Sequence, residues 1–353
     1  MQVDGWFVTG ADRPMQAQSR DEAPGPSEVL VRVAGCGVCH TDLGFYYEGV
    51  PTRHALPLVL GHEISGRVVE VGAGAEEWKG RDVVVPAVIP CGTCAACRAG
   101  KGSICPKQIF PGNDVHGGFA THVRVPARGL CPVPDLAHPN TNPAGLDLAA
   151  LSVVADAVST PYQAILRSGL AKGDVAVFVG AGGVGGFGVQ IAAARGAQVV
   201  AIDVDAKKLE TMKGFGASLA LPAGDARELK KTIQKFATER GVPTWRTFVF
   251  ETSGSKAGQE SAFALLGHGG YLSVVGYTPA KVELRLSNVM ALDATVQGNW
   301  GCLPEHYPAV VDLCLSGAVK VEPFVERRPL SSINATFAEL HEKPLARRVV
   351  LVP

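Results

Sequence analysis

Three clusters in this chain combine residue types and spacings that can do chemistry. Cys91, Cys94, Cys97 and Cys105 follow a C-x2-C-x2-C-x7-C pattern laced with glycine and alanine. Four thiolates so close in sequence suit a closed tetrahedral zinc site, which leaves no position for a substrate and so has a structural role. Disulfides or an iron–sulfur cluster would draw on the same thiols. The second cluster pairs Cys36 and Cys39, also spaced C-x-x-C, with His62 and Glu63 further on. The two cysteines could share one metal, but thiolate and imidazole together, Cys39 with His62, are the better arrangement for zinc. The third is Gly180-x-Gly182-x-x-Gly185, followed later by Asp203.

The elements around the third cluster decide its meaning. Residues 175–179 are an apolar, β-branched run suited to a strand buried on both faces, 187–194 read as helix, and 198–202 as a second strand ending on Asp203. Strand, glycine turn, helix, strand and terminal acid form the dinucleotide fingerprint. The glycines let the backbone approach a pyrophosphate at the helix N-terminus, and Asp203 accepts both adenosine-ribose hydroxyls. A carboxylate there repels a 2′-phosphate, and no arginine follows in 204–208, so NAD is favoured over NADP; Lys208 reaches the ribose from the other side. The pattern continues with a helix at 206–215, a capping pattern at Asp225 opening a helix to about residue 240, a strand at 247–252, a helix at 256–266 and a strand at 271–277.

Elsewhere the chain reads as short strands. Residues 6–9, 28–34, 67–71 and 119–125 fit, with Val29, Val31 and Val33 alternating as in a half-buried strand, and 28–34 deliver the chain to Cys36 and Cys39. Residues 132–143 read as loop, 160–168 and 309–315 as helix, and 348–351 as strand. The chain of 353 residues suggests two domains, and 33 basic against 33 acidic side chains give no footprint for nucleic acid. No apolar run is long enough for a membrane span and no secretory leader opens the chain, so a cytoplasmic enzyme is expected, in which cysteines serve metal rather than disulfides. Cys36, Cys131, Cys302 and Cys314 read as small buried hydrophobes.

Gly61-His62-Glu63-x-x-Gly66-x5-Gly72, with Cys39-His40-Thr41-Asp42, resembles the signature of the zinc-dependent medium-chain alcohol dehydrogenase family, and the likeness runs over nearly the whole chain. The resemblance implies an α/β protein: a Rossmann doubly wound parallel sheet at 158–299, and a mainly β GroES-like catalytic domain at 1–157 and 300–353 with a zinc lobe at about 88–110. It implies two zinc ions per chain. The structural one falls to Cys91, Cys94, Cys97 and Cys105. The catalytic one falls to Cys39, His62 and a third ligand whose spacing to Thr160 and Tyr162 selects Asp156, an aspartate where the family usually has cysteine. Asp42 then orients His62, and Glu63 lies behind the metal. The same resemblance gives NAD contacts to His40, Gly180, Gly182, Gly183, Val184, Gly185, Asp203, Lys208, Val275, Gly276, Tyr277 and Arg348. Thr41 becomes the first proton acceptor, while the family's usual relay histidine is replaced by Gly44.

The implied partners are a small-molecule alcohol or hydroxyacyl-CoA substrate and further copies of the chain, as a dimer or tetramer. The segments 5–10, 45–49 and 109–114 resemble the subfamily of 6-hydroxycyclohex-1-ene-1-carbonyl-CoA dehydrogenases of anaerobic aromatic degradation, with Arg53, Lys101 and Lys107 as candidate contacts for a CoA arm. Phe45, Tyr46, Tyr47 and Trp300 suggest a partly aromatic pocket. A dehydrogenase of simple primary or secondary alcohols is the alternative. A zinc-free enoyl or quinone reductase lacks these ligands, and a non-catalytic NAD-binding protein has no need of an open zinc site.

Overall fold

The computed structural model describes residues 1–10, 13–343 and 347–353. The chain divides into two compact units, Met1–Ser159 with Gly301–Pro353, and Thr160–Trp300.

The first unit opens with strands β1 (Gln2–Val8), β2 (Gln16–Asp21) and β3 (Glu28–Gly37), then helix α1 (His40–Tyr47), and β4 (Leu58–Val59), β5 (Glu63–Val71) and β6 (Asp82–Val85). A four-residue helix, α2 (Ala95–Arg98), precedes β7 (His122–Pro126) and β8 (Cys131–Pro132). The expected alternation in β3 is only partial. Val29, Leu30 and Val31 are all buried, and the register against β5 shifts after Leu30 and again after Val33. These irregularities bend the strand end that carries the chain to Cys39.

The second unit starts within α3 (Ser159–Ser168) and continues β9 (Val175–Val179), α4 (Gly183–Ala194), β10 (Gln198–Asp203), α5 (Ala206–Gly214), β11 (Leu219–Pro222), α6 (Ala226–Thr238), β12 (Thr247–Glu251), α7 (Lys256–Ala264), β13 (Tyr271–Val274), α8 (Ser287–Ala291) and β14 (Thr295–Gly298). Its six strands pair in parallel in the order β11-β10-β9-β12-β13-β14, the doubly wound arrangement expected from the sequence. Every residue of β9 is buried, as a central parallel strand requires. In α6, Leu229, Ile233, Phe236 and Ala237 form the buried stripe, and Asp225 caps the helix by accepting the Arg227 and Glu228 N–H groups at 2.9 and 3.1 Å.

The tail, with α9 (Tyr307–Leu315), β15 (Val325–Pro329), α10 (Ile333–Glu342) and β16 (Arg348–Val352), belongs to the first unit. Its strands complete a seven-stranded sheet of order β15-β16-β3-β5-β6-β8 with β7 also on β3, beside the smaller sheet β2-β1-β4. A core of β3, β5, β6 and β7 valines with Phe119, Ile333 and Phe337 fills this unit. No described helix is long and apolar enough to cross a membrane.

Candidate metal and cofactor sites

In the first unit the chain turns sharply after β3, and Cys39 becomes the N-cap of α1. Asp42, in the first turn, is fully buried; its Oδ2 accepts the Cys39 N–H at 2.9 Å, its Oδ1 accepts the Gly61 N–H at 3.2 Å, and Oδ1 also stands 3.3 Å from His62 Nδ1. One carboxylate thereby fixes the backbone of one candidate ligand and stands against the ring of another. The third, Asp156, follows a 3-10 turn at Ala150–Ala155. His62 Nε2 lies 3.5 Å from Asp156 Oδ2, and Cys39 Sγ lies 3.7 Å from the same oxygen. Tetrahedral coordination at roughly 2.0–2.3 Å from zinc gives ligand separations of roughly 3.3–3.8 Å. The three donors fit zinc on that measure. A second indication is that neither ring nitrogen of His62, 1% exposed, makes a hydrogen bond among the described residues. Burial disfavours the charged imidazole, yet Asp42, Asp156 and Cys39 together hold its pKa well above the usual value. The surroundings are thus electronegative enough for a cation.

The turn bearing Asp156 is held from several sides. Ser65 Oγ donates to Leu148 O at 2.6 Å, Asp147 Oδ1 accepts the Ala150 N–H at 2.7 Å, and the Ala87 N–H reaches Ala155 O at 3.3 Å. Tyr307, fully buried in α9, donates its hydroxyl to that same Ala155 carbonyl and receives the Ala87 N–H at 3.4 Å. Behind the ligands, Arg348 makes a two-pronged ion pair with Glu63, its Nε at 2.9 Å from Oε2 and its Nη2 on Oε1; both residues are buried, and Arg347 is exposed. The Phe110 ring stands 4.8 Å from that of His62 and joins Ala87, Val88 and Phe45 in a small apolar cluster. Thr41 Oγ1 is 3.7 Å from Cys39 Sγ, and His40 is exposed. Tyr46 and Tyr47 are packing residues, against Phe337 and His341 respectively. Of the candidate CoA contacts, Arg53 pairs with Asp114 at 2.6 Å, while Lys101 and Lys107 are exposed.

The four-cysteine lobe is as compact. Sγ separations are 3.9 Å for Cys91–Cys97, 3.5 Å for Cys94–Cys97 and 3.7 Å for Cys94–Cys105. Four sulfurs about 2.3 Å from zinc lie roughly 3.8 Å apart, whereas a disulfide needs about 2.05 Å. Donors from Thr93, backbone first, and from Cys94 pull the Cys91 thiol down to about 5, while burial and its sulfur neighbours push Cys97 up to about 12. All nine cysteines of the chain are free thiols.

In the second unit α4 begins at Gly183, so the N–H groups of Gly183, Val184 and Gly185 lie in its first turn, where helices leave such donors unpaired for an anion. Gly185 passes so close to the turn that a Cβ there would meet Gly180 O at 1.8 Å. Asp203, at the end of β10, is buried; its Oδ2 accepts the Ala181 N–H at 2.7 Å and its Oδ1 the Asp205 N–H at 2.9 Å. The acid therefore also braces the glycine turn, which the sequence pattern does not reveal. Lys208 is half-buried on α5. Past β13, the Val275 and Gly276 N–H groups both donate to Glu251 O at 3.0 Å, and Tyr277 is exposed. Tyr307 and Glu251 have no signal in the sequence, because both act through tertiary contacts.

Known proteins match this chain over both units. Residues 25–135 match the family described as the alcohol dehydrogenase GroES-like domain, and residues 183–316 that described as zinc-binding dehydrogenase. An alcohol dehydrogenase of Geobacillus stearothermophilus is 31% identical over 92% of this chain and 91% of its own. An L-threonine 3-dehydrogenase of Bacillus velezensis is 31% identical over 94% of each. The crystal structure of the alcohol dehydrogenase from Aeropyrum pernix superposes with a TM-score of 0.86 at 30% identity, over 99% of this chain and 100% of that one.

Proposed function

The chain belongs to the zinc-binding medium-chain alcohol dehydrogenase family, and on that premise we propose that it oxidises a secondary alcohol with NAD, at a catalytic zinc held by Cys39, His62 and Asp156. The observation that carries this reading is the convergence of a thiolate, an imidazole and a carboxylate at separations of 3.5 and 3.7 Å. Glu63 falls in the same donor group but is paired with Arg348, so three ligands would leave one position of tetrahedral zinc for substrate. When bound, zinc supplies Lewis-acid polarisation of the substrate hydroxyl and NAD accepts the hydride. Asp42 holds the Cys39 backbone and stands against the His62 ring, and Phe110, packed with Val88 and Phe45, sets an apolar ring beside His62. The Thr41 hydroxyl is the first acceptor of the substrate proton. A side chain at Gly44 would have its Cβ 3.5 Å from Glu48 Oε2, so the exposed Glu48 carboxylate borders the space where a relay group would stand, and we assign it the proton exit. Asp203 favours NAD, because a 2′-phosphate would meet a buried carboxylate. The four-cysteine lobe takes the second, structural zinc.

For the substrate, the proposal is 6-hydroxycyclohex-1-ene-1-carbonyl-CoA, oxidised at the ring hydroxyl to the 6-oxo compound in aromatic degradation; its support is the resemblance of segments 5–10, 45–49 and 109–114. A simple alcohol is the second reading, favoured by the names of the relatives. Initial rates with NAD over a panel of alcohols and hydroxyacyl-CoA thioesters test both. A kcat/KM higher for the cyclic thioester than for every free alcohol supports the first, and the reverse order overturns it. We further propose a homo-oligomer in the cytoplasm. The outer edge of β14 pairs with no strand among the described residues and lies in a stretch with exposed Leu286, Met290 and Val296, and nine cysteines without a disulfide suit a reducing compartment.

A further inference from the structure

Glu251 is the last residue of β12 and has no solvent exposure. It stands opposite Val179 of β9 and Val274 of β13. The strand order reverses direction between β9 and β12, so Glu251 lies at the topological switch point, at the carboxyl end of the sheet, where doubly wound folds bind dinucleotides. With Asp203 on the β9–β10 side taking the adenosine ribose, the nicotinamide half falls to the β12–β13 side.

On that side Glu251 gathers two turns. Its Oε1 accepts the Ser253 N–H at 2.8 Å, the Ser253 hydroxyl at 2.6 Å and the Gly254 N–H at 3.1 Å. Its main-chain carbonyl accepts the Val275 and Gly276 N–H groups, both at 3.0 Å. The second oxygen, Oε2, is buried with no hydrogen-bond partner among the described residues. A Cβ at Gly276 would come within 2.8 Å of Oε2 and 2.3 Å of Gly254 N, so the turns meet over this carboxyl with no room to spare. A buried acid with one oxygen unpaired costs stability, and burial raises its pKa. An apolar residue at the end of a core strand would avoid that cost.

We propose that Glu251 is a positioning residue for the nicotinamide half of the cofactor, fixing the turns 252–254 and 275–276 in one arrangement. The inference rests on the NAD reading above and adds a residue to it. A carboxyl that only supported the fold would affect both halves of the dinucleotide alike when removed; a positioning carboxyl affects one.

The test measures equilibrium binding of NAD and of AMP, by calorimetry on the zinc-loaded protein, for wild type, Glu251→Ala and Glu251→Gln, with thermal unfolding recorded for each. The expected result is NAD weakened about tenfold or more in Glu251→Ala, AMP unchanged within about twofold, and most of the NAD affinity restored in Glu251→Gln, whose amide oxygen can still accept at the Oε1 position. Equal weakening of NAD and AMP, or wild-type NAD affinity in Glu251→Ala, overturns it. Should Glu251→Ala not fold, Ser253→Ala removes one donor and leaves the acid, and a loss confined to NAD supports the proposal, while an equal loss for AMP overturns it. A wild-type chain binding neither nucleotide overturns the cofactor reading and this inference with it.

Discussion

Asp42 Oδ1 stands 3.3 Å from His62 Nδ1, while the other oxygen of the same carboxylate accepts the Cys39 N–H at 2.9 Å. With Asp42 on Nδ1, Nε2 is left facing Asp156 and Cys39. Asp42→Ala releases the ring and the α1 N-terminus together. The expected outcome is a loss of about 10–100-fold in affinity for the catalytic zinc, with the four-cysteine zinc retained as an internal standard. Chelator competition followed by metal analysis checks this; two equivalents held as in wild type would show that Asp42 orients nothing.

Asp156→Ala should abolish turnover and leave close to one zinc per chain, with NAD affinity nearly unchanged because the glycine turn and Asp203 belong to the other unit. Asp156→Cys should recover the metal, since thiolate is an equally good third ligand. Near-normal activity in the alanine variant would mean the third ligand lies elsewhere. Tyr307→Phe offers a milder probe of the same ligand: removal of the hydroxyl that holds Ala155 O should accelerate zinc loss to a chelator while the structural zinc stays.

Glu48→Gln tests the proton exit. Positioned proton transfer contributes about 10²–10⁴ to a rate in general; an exposed exit group one step removed from the substrate should contribute less, so a fall in kcat of about tenfold is expected. The decisive readout is rescue by added imidazole, which replaces the missing base. A variant that loses rate without rescue has a different defect.

The parts legible in the sequence were those whose chemistry is local. The four-cysteine spacing and the strand, glycine turn, helix and acid at 175–203 can be read without a partner from elsewhere, and the doubly wound sheet follows from them. Asp156 is 117 residues from Cys39 and was reachable only through the family resemblance. Helix α1 has no clear signal in the sequence because Gly44, Phe45, Tyr46 and Tyr47 are poor helix formers, and its start is set by Asp42 on the Cys39 N–H. Strand β11 is a half-buried edge of four residues ending in proline, with little pattern to find. The ten-residue α10 was visible in principle, since Ile333, Thr336 and Phe337 are its buried face, but no side chain caps its start.

The unpaired β14 edge makes assembly testable. Val296→Lys adds a charge to that edge, and Met290→Lys to the exposed apolar stretch just before it, neither of them a candidate metal ligand or cofactor contact. Both together should shift the species seen by sedimentation toward the monomer, with unfolding temperature little changed at low concentration. An unshifted oligomer would place the interface on another face.

Asp203 carries the last prediction. Hydrogen bonds from ribose hydroxyls to an ionised carboxylate contribute roughly 1.5–3 kcal/mol each, and a 2′-phosphate in the same place meets like-charge repulsion. Yet the carboxylate already accepts the Ala181 and Asp205 N–H groups at 2.7 and 2.9 Å. Asp203→Gly would therefore remove the ribose contacts and also leave two partly buried donors unpaired, at a cost of about 1–3 kcal/mol each. Its effect on cofactor binding would be mixed with a loosened glycine turn. Asp203→Asn separates the two, because its amide oxygen can keep one of these bonds while the charge is gone. For Asp203→Asn the expected result is a small drop in unfolding temperature, an NAD KM raised about tenfold or more, a nearly unchanged kcat, and a narrower gap to NADP without reversal. The change should sit in KM because the adenosine ribose is remote from the hydride and its contacts are alike in ground and transition states. Wild-type use of NADP equal to NAD, or an unchanged preference in Asp203→Asn, would mean that the carboxylate braces the turn and never meets the ribose.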